Sequence, residues 1–355
     1  MKANFIPSHY TFTSCIPDIL SLSEISASSV VLSIFLNAEP TPIFTTTLYT
    51  YQNTASIYDI RSIIESYMEE KQWVYATLSI QVSVGGESHK VGECTLIYSR
   101  LDRTDDAKSF LQSHFLTSHS VRMVPHGFTL SLSYLLFPNE SAQCSATFIL
   151  RSSDTDAPIT YTLNTTAILS TELGLHTERL TEEALLALLP EGVSGTLLSL
   201  TLSRGKRSFT IYITEETPTL TLGFTNEFNI QDTLYLTALT KQKLNFDRST
   251  ATCCGVATFY DDHSRPEFES EPSSLSYALA RYLTLALQSD SVSMVSDAFP
   301  DGTPILITEI ESELSDASNA LNKVKFNWRP TNRLTVLPFA RKKEIFNDIY
   351  NTSFD

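Results

Sequence analysis

"ATLSIQVS", residues 76–83, alternates apolar and polar side chains without a break. Ala76, Leu78, Ile80 and Val82 fall on one face, and Thr77, Ser79, Gln81 and Ser83 on the other. A period of two is the mark of a half-buried strand in an antiparallel sheet. The same rhythm runs through "FTLSLSYLLF" (128–137), with Phe128, Leu130, Leu132, Tyr134 and Leu136 on the apolar side. It returns in "TLLSLTLS" (196–203) on Leu198, Leu200 and Leu202, and in "SFTIYIT" (208–214) on Phe209, Ile211 and Ile213. The fold class read from these stretches is mainly β.

Outward from residues 76–83, the order of elements occurs twice. The first pass reads strand ("VVLSIFLN"), strand ("IFTTTLYTY"), helix ("IYDIRSIIESYMEE"), strand ("ATLSIQVS"), glycine turn and strand ("ECTLIYS"). The second reads strand ("CSATFILR"), strand ("ITYTLNTTAIL"), helix ("TEEALLALLP"), strand ("TLLSLTLS"), "RGK" turn and strand ("SFTIYIT"). Equivalent strands lie roughly 114–122 residues apart, too far for a solenoid and suited to a duplicated module. Each helix has a start signal, Tyr58 or Asp59 in the first and Thr181 in the second. The expected unit is a small β-sandwich containing one helix. Ala76–Val82 should then superpose on Thr196–Leu202.

After "EETP" (215–218) the design changes to five strand-like runs and one apolar-striped helix over 274–289. The predicted organisation is an N-terminal arm (1–27), module 1 with a helical linker (28–127), module 2 (128–217), a third domain (218–333) and a C-terminal arm (334–355). The stretch 101–127 should hold one short helix.

Composition narrows the function classes. The chain has 355 residues, a net charge of −15 and only 18% charged residues. An acidic balance without a basic cluster argues against specific nucleic-acid binding, which needs grouped Lys and Arg. No apolar run is long enough for a membrane span. "MKANFIPSHYTFTSCIPDILSL" reads as neither a secretory signal nor an anchor. Five scattered cysteines make no disulfide framework, so synthesis in a reducing compartment is expected.

The residues that could carry chemistry read as structural. Cys253 and Cys254 are adjacent, a spacing that suits neither a redox pair nor a zinc site, and are expected inside a strand. His114, His119 and His126 are spaced by five and seven, which does not gather them on one helix face. Glu309, Glu311 and Glu313 alternate along one strand and read as a solvated face or a channel lining. Trp328 reads as core and Trp73 as exposed. The expectations are therefore no catalytic residues, no cofactor and no metal.

The third domain carries a resemblance. "FNIQDTLYL" (228–236), "DRSTA" (247–251), "FYD" (259–261) and "LNKVKFNWR" (321–329) resemble recurring motifs of tail-region proteins encoded by phages and prophages of gut bacteria. The strand–helix–strand order is also similar to the ring-forming fold of tail-tube and distal tail proteins. One departure is the order, since distal tail proteins usually place the ring domain before the sandwiches. The resemblance implies a structural virion component of a tail or baseplate, a homo-oligomeric, hexameric ring that docks neighbouring tail proteins. The competing readings are a sandwich module that binds a host glycan or surface protein, and a surface adhesin outside a virion.

Interface residues follow from "TLYLTALT" (233–240), which is apolar on both faces. Leu234, Leu236 and Ala238 face one side, and Tyr235 and Leu239 the other, where a helix or a second subunit should cover them. In the C-terminal arm, Phe339, Phe346, Ile349 and Tyr350 lack any helical or strand period and are expected to clasp an adjacent protein.

Overall fold

A computed structural model describes residues 2–5, 7–102, 106–152, 157–191, 193, 195–253, 256–273, 275–296, 299–317 and 322–331, with side chains apart from 244–266 and 296–301. The protein is mainly β, as the alternation requires. Module 1 holds β1 (Lys2–Ala3), β2 (Tyr10–Phe12), β3 (Ile19–Ser23), β4 (Ser29–Leu36), β5 (Phe44–Tyr49), β6 (Ala55–Tyr58), α1 (Ile60–Glu70), β7 (Tyr75–Val84) and β8 (Glu87–Ile97). Its sheets run β2-β8-β7-β4-β5 and β1-β3-β6. After α2 (Ala107–Ser113), module 2 holds β9 (Val121–Pro125), β10 (Thr129–Leu136), β11 (Ser141–Arg151), β12 (Pro158–Leu169) and β13 (Gly174–Thr181). It closes with α3 (Glu182–Leu186), β14 (Thr196–Arg204) and β15 (Arg207–Thr214). Its sheets run β9-β15-β14-β11-β12 and β10-β13.

The two modules share one topology. Strands β2 to β8 and β9 to β15 occupy matching places in chain order and sheet order, with the helix before the penultimate strand in both. Even the unusual edge agrees, since β2 pairs parallel with β8 and β9 parallel with β15. The hairpin turns fix the alignment. Val84 faces Glu87 across one, and Arg204 faces Arg207 across the other. On that offset Ile80–Val82 matches Leu200–Leu202, as expected, while a bulge at Leu198 shifts the match for the residues before it.

Several details depart from the sequence reading. Residues 2–23 supply β1, β2 and β3, so the segment read as an arm is built into module 1. Likewise β9 belongs to module 2, which begins before residue 128. Leu198 is half-buried while Leu197 is fully buried, because a bulge between Ile149 and Leu150 skips Leu198 and shifts the register. Asp59 occupies the N-cap position of α1 in a left-handed conformation, yet its side chain makes no cap bond. Thr181 does cap α3, accepting from the Ala184 N–H at 3.3 Å. The stripe of α1 is Ile60, Ile64 and Met68, a spacing of four that keeps one helix face on the sandwich.

The third domain comprises β16 (Leu220–Thr225), β17 (Gln231–Leu236), β18 (Ala238–Cys253), β19 (Val256–Pro272), α4 (Tyr277–Leu287), β20 (Val292–Ser296), β21 (Phe299–Glu313) and β22 (Lys323–Pro330). Its seven-stranded sheet runs β17-β16-β20-β21-β22-β19-β18. Helix α4 packs Tyr282, Leu283, Ala286 and Leu287 into a core with Leu222, Phe224, Phe326 and Trp328. Ser276 caps this helix, accepting from the Leu279 N–H at 3.2 Å. The sequence expected Cys253 and Cys254 inside a strand. Cys253 is the last residue of β18, and β19 begins at Val256; Cys254 lies outside the described residues. Among the described residues no helix is long and apolar enough to cross a membrane.

Candidate functional site

Each module has its own apolar core, and a fourth cluster joins all three. Strand β10 explains how. Leu130, Leu132, Tyr134 and Leu136 face the module 2 core, as their alternation demands. Leu135 and Phe137, on the other side, pack with Phe12, Ile97, Leu111 and Phe228 from module 1, α2 and the third domain. A strand apolar on both faces is covered on both.

The loop between β16 and β17, residues 226–230, is the hub of this junction. Asn226 is buried; its amide donates to the Leu116 carbonyl at 2.9 Å, and its carbonyl oxygen accepts from the Phe228 and Ile230 N–H groups. Phe228 is fully buried in the shared cluster. Asn229 takes up φ 62°, a left-handed conformation that asparagine tolerates. Its amide donates to the Met68 carbonyl at 2.9 Å and the Trp73 carbonyl at 3.2 Å, satisfying acceptors at the end of α1.

Three residues further on, Asp232 accepts from Arg122 Nη2 at 2.9 Å and from the Tyr282 hydroxyl. Arg122 also donates to the His119 carbonyl at 2.6 Å and to Thr117 Oγ1 at 3.0 Å. Its guanidinium lies 4.2 Å from the centre of the Tyr282 ring. This buried pair ties β9 of module 2 to β17 and α4 of the third domain. Burial pushes the Tyr282 hydroxyl well above its usual range, with the Asp232 charge acting in the same direction. His119 stacks on Tyr282 and is held down to about 4 by burial and by the Arg122 charge.

Glu227 is only 3% exposed. Neither of its carboxylate oxygens has a hydrogen bond of ordinary geometry, although Ser118 is a polar neighbour. Burial raises its pKa. Its backbone carbonyl accepts from the Arg100 N–H, and the Arg100 guanidinium reaches the Gln288 carbonyl at the end of α4. Module 1 thus touches both the β16–β17 loop and the end of α4.

The residues singled out from the sequence are dispersed. His114 stacks on Phe110, His119 joins the junction, and His126 contacts Glu182 at 2.9 Å. Among the described residues no group of three His, Cys, Asp or Glu side chains could hold a metal ion. Cys15 is exposed, whereas Cys94 is buried and its thiol is pushed up to about 12. Trp328 is core and donates to Ser270 Oγ at 2.9 Å. Trp73, read as exposed, is half-buried edge-on against Tyr67. Glu309, Glu311 and Glu313 do share the sheet face opposite Trp328.

Tyr235 was expected under a helix or a second subunit, and the structure corrects this. It packs on the module 2 core, and its hydroxyl donates to the Thr129 carbonyl at 2.9 Å and accepts from the Thr129 N–H at 3.0 Å. The cover is module 2 of the same chain. Leu239, by contrast, is 61% exposed on β18. Phe339, Phe346, Ile349 and Tyr350 lie outside the described residues.

Sequence reasoning missed Arg122, Asn229 and Asp232 as the junction. Asn229 and Asp232 lay within the quoted "FNIQDTLYL" motif, so that signal was present; Arg122 had none. Comparison with known proteins adds little. No family model and no curated protein matches the chain. Among solved structures, the full extracellular region of plexin A4 aligns over 92% of this chain and 39% of its own, at 9% identity and a TM-score of 0.21. The chain spans about two-fifths of that structure's length, and a likeness at this level carries no argument.

Proposed function

We propose that this protein is a structural component of a phage tail or baseplate, assembling through its third domain into a ring, sixfold by expectation, and docking neighbouring tail proteins with its sandwiches. The observation that carries the reading is the role of the motif residues. Phe228, Asn229 and Asp232, which bear the resemblance, are the ones that weld three modules together. A subunit that must hold its place in a ring benefits from modules that do not swing, because each degree of freedom left open is entropy lost on assembly. The third domain has one sheet edge, β17, covered by module 2, and leaves the long hairpin β18–β19 projecting from the other. An uncovered edge is a template for pairing with another chain. In this reading the protein is made in the bacterial cytoplasm and resides in the virion tail.

Light scattering and negative-stain microscopy of the purified protein, alone and mixed with the products of adjacent genes, test the proposal. Closed rings are expected. A species that stays monomeric at high concentration in every mixture would overturn it.

Exposed aromatics favour a second reading for module 1. Tyr49, Tyr51 and Tyr58 are 82%, 76% and 63% exposed on β5, the turn after it and β6. Aromatic side chains displayed in this way suit recognition of a host glycan or surface protein. Binding to host cell-surface glycans that survives Tyr49→Ala combined with Tyr51→Ala would count against it.

A further inference from the structure

Strand β12 is an edge of the five-stranded sheet of module 2, and among the described residues β11 is its only strand partner. It runs for 12 residues, about twice the usual strand length, without one charged side chain. An uncharged edge of this length is a template for another strand, and proteins commonly guard against it with charge, proline or brevity. Most other edges of this chain are guarded. Strand β9, at the far side of the same sheet, has 5 residues and ends in Pro125, and β2 has 3. Strand β13 carries Glu178 and Arg179, and β18 carries Lys241 and Lys243. Strand β5, the counterpart of β12 in module 1, is uncharged but has only 6 residues.

The two faces of β12 are both unfinished. On the outer face Thr210, Thr201, Thr147 and Thr162 stand opposite one another on β15, β14, β11 and β12, one row across the sheet. Thr201 and Thr210 share a hydroxyl hydrogen bond at 3.2 Å, and so do Thr147 and Thr162. The row stops at Thr162. On the inner face Tyr161 and Leu163 pack on the module 2 core but are only half-buried, because no strand lies beyond them. The pairing of β12 with β11 is regular from Pro158 to Thr165, and a bulge follows between Thr165 and Ile168. Past the proline, the regular run is residues 159–165, and Thr162 is its centre.

We infer that β12 pairs with β12 of a second copy of this chain, antiparallel about a twofold axis at Thr162, so that the two module 2 sheets become one. Pairing about this axis sets Thr162 opposite itself, Tyr161 opposite Leu163 of the second copy, and Thr160 opposite Asn164 of the second copy. The threonine row then runs on through the axis, and opposed threonines are favourable cross-strand pairs. Tyr161 and Leu163 complete each other's cover. A twofold contact uses the same patch on both copies, so a charge near its centre would meet its like. Strand β12 has no charge to oppose, which is what makes a second copy its fitting occupant. The contact goes beyond the ring proposed above. It lies in module 2, needs one patch where ring closure needs two, and does not involve the third domain.

Like charges placed at the axis test the pairing. Thr162 is exposed, so Thr162→Lys and Thr162→Glu should each leave the circular dichroism spectrum of the full chain unchanged. Each alone should halve the mass of the wild-type species in low-salt sedimentation. Mixed in equal amounts they should recover it, because a lysine then meets a glutamate across the axis. Either variant keeping the wild-type mass, or folded variants that do not recover it when mixed, would overturn the pairing. Rings whose mass neither variant changes would remove the pairing and leave the ring. A dimer that both variants split, with no ring formed, would do the reverse, and a wild-type protein that stays monomeric would overturn both. If a charge at position 162 disturbs folding, Thr160→Lys combined with Asn164→Lys sets lysine against lysine on each side of the axis. That variant should weaken association about tenfold in low salt; an unchanged association constant in folded protein overturns the pairing.

Discussion

Asn229 and Met68 are 161 residues apart in sequence, yet the Asn229 amide donates to the Met68 carbonyl at 2.9 Å. A side chain of the third domain thus completes the last turn of a helix in the first module. Replacing Asn229 with Ala leaves the Met68 and Trp73 carbonyls buried without this donor and forces Ala into a left-handed backbone. Met68 keeps its bond from the Trp73 N–H, so the expected cost is about 2–3 kcal/mol, from the lost Asn229 hydrogen bonds and the strain together. Urea unfolding would show it, and the single transition should split as module 1 uncouples. An unchanged midpoint would remove Asn229 from the junction.

Arg122→Met strips a buried cation from Asp232 and leaves that carboxylate beside Tyr282 without its partner. Breaking a buried pair from one side costs about 3–5 kcal/mol. Combining Arg122→Met with Asp232→Leu should recover much of the loss, since no unpaired charge remains. Thermal melts of the two single variants and the double variant give the coupling directly.

His119 sets an acid sensitivity. Its folded pKa of about 4 lies below its ordinary 6.5, so the folded protein resists taking up the proton that the unfolded chain accepts. Stability from this group is full above 6.5 and is lost as pH falls towards 4. His119→Gln should flatten that part of the urea-midpoint profile.

Glu227 acts in the opposite sense. Its folded pKa is raised above 4.5, so the folded state holds a proton that the unfolded chain releases. The contribution is full below 4.5 and is lost as pH rises through the folded value. Glu227→Gln should raise the urea midpoint at pH 8, with the gain shrinking towards pH 4.5. A variant no more stable than wild type at pH 8 would show that the buried carboxyl costs nothing.

Trp328 fills the third-domain core and donates to Ser270. Trp328→Ala should cost about 3–5 kcal/mol. Leu239→Ser, on an exposed position of β18, should leave the monomer within about 0.5 kcal/mol of wild type. Calorimetry on both separates core from surface.

Local pattern decided much of this molecule. The alternation at Ala76–Val82 and Phe128–Leu136 is enough to place strands and choose their buried faces, because a pleated strand sends neighbours to opposite sides. Element order alone made the duplication visible, down to the offset of the two hairpin turns. What local pattern could not supply was partnership across distance. Leu198 leaves its expected face because its strand bulges where it pairs with β11, a fact written in neither stretch by itself. Nothing near Asn229 or Arg122 in the sequence names its partner; only the fold brings Met68 and Asp232 to them. A buried hydrogen bond or ion pair depends on where its partner lies in space, and no periodicity encodes that. Tertiary packing alone turned three β-rich segments into one block.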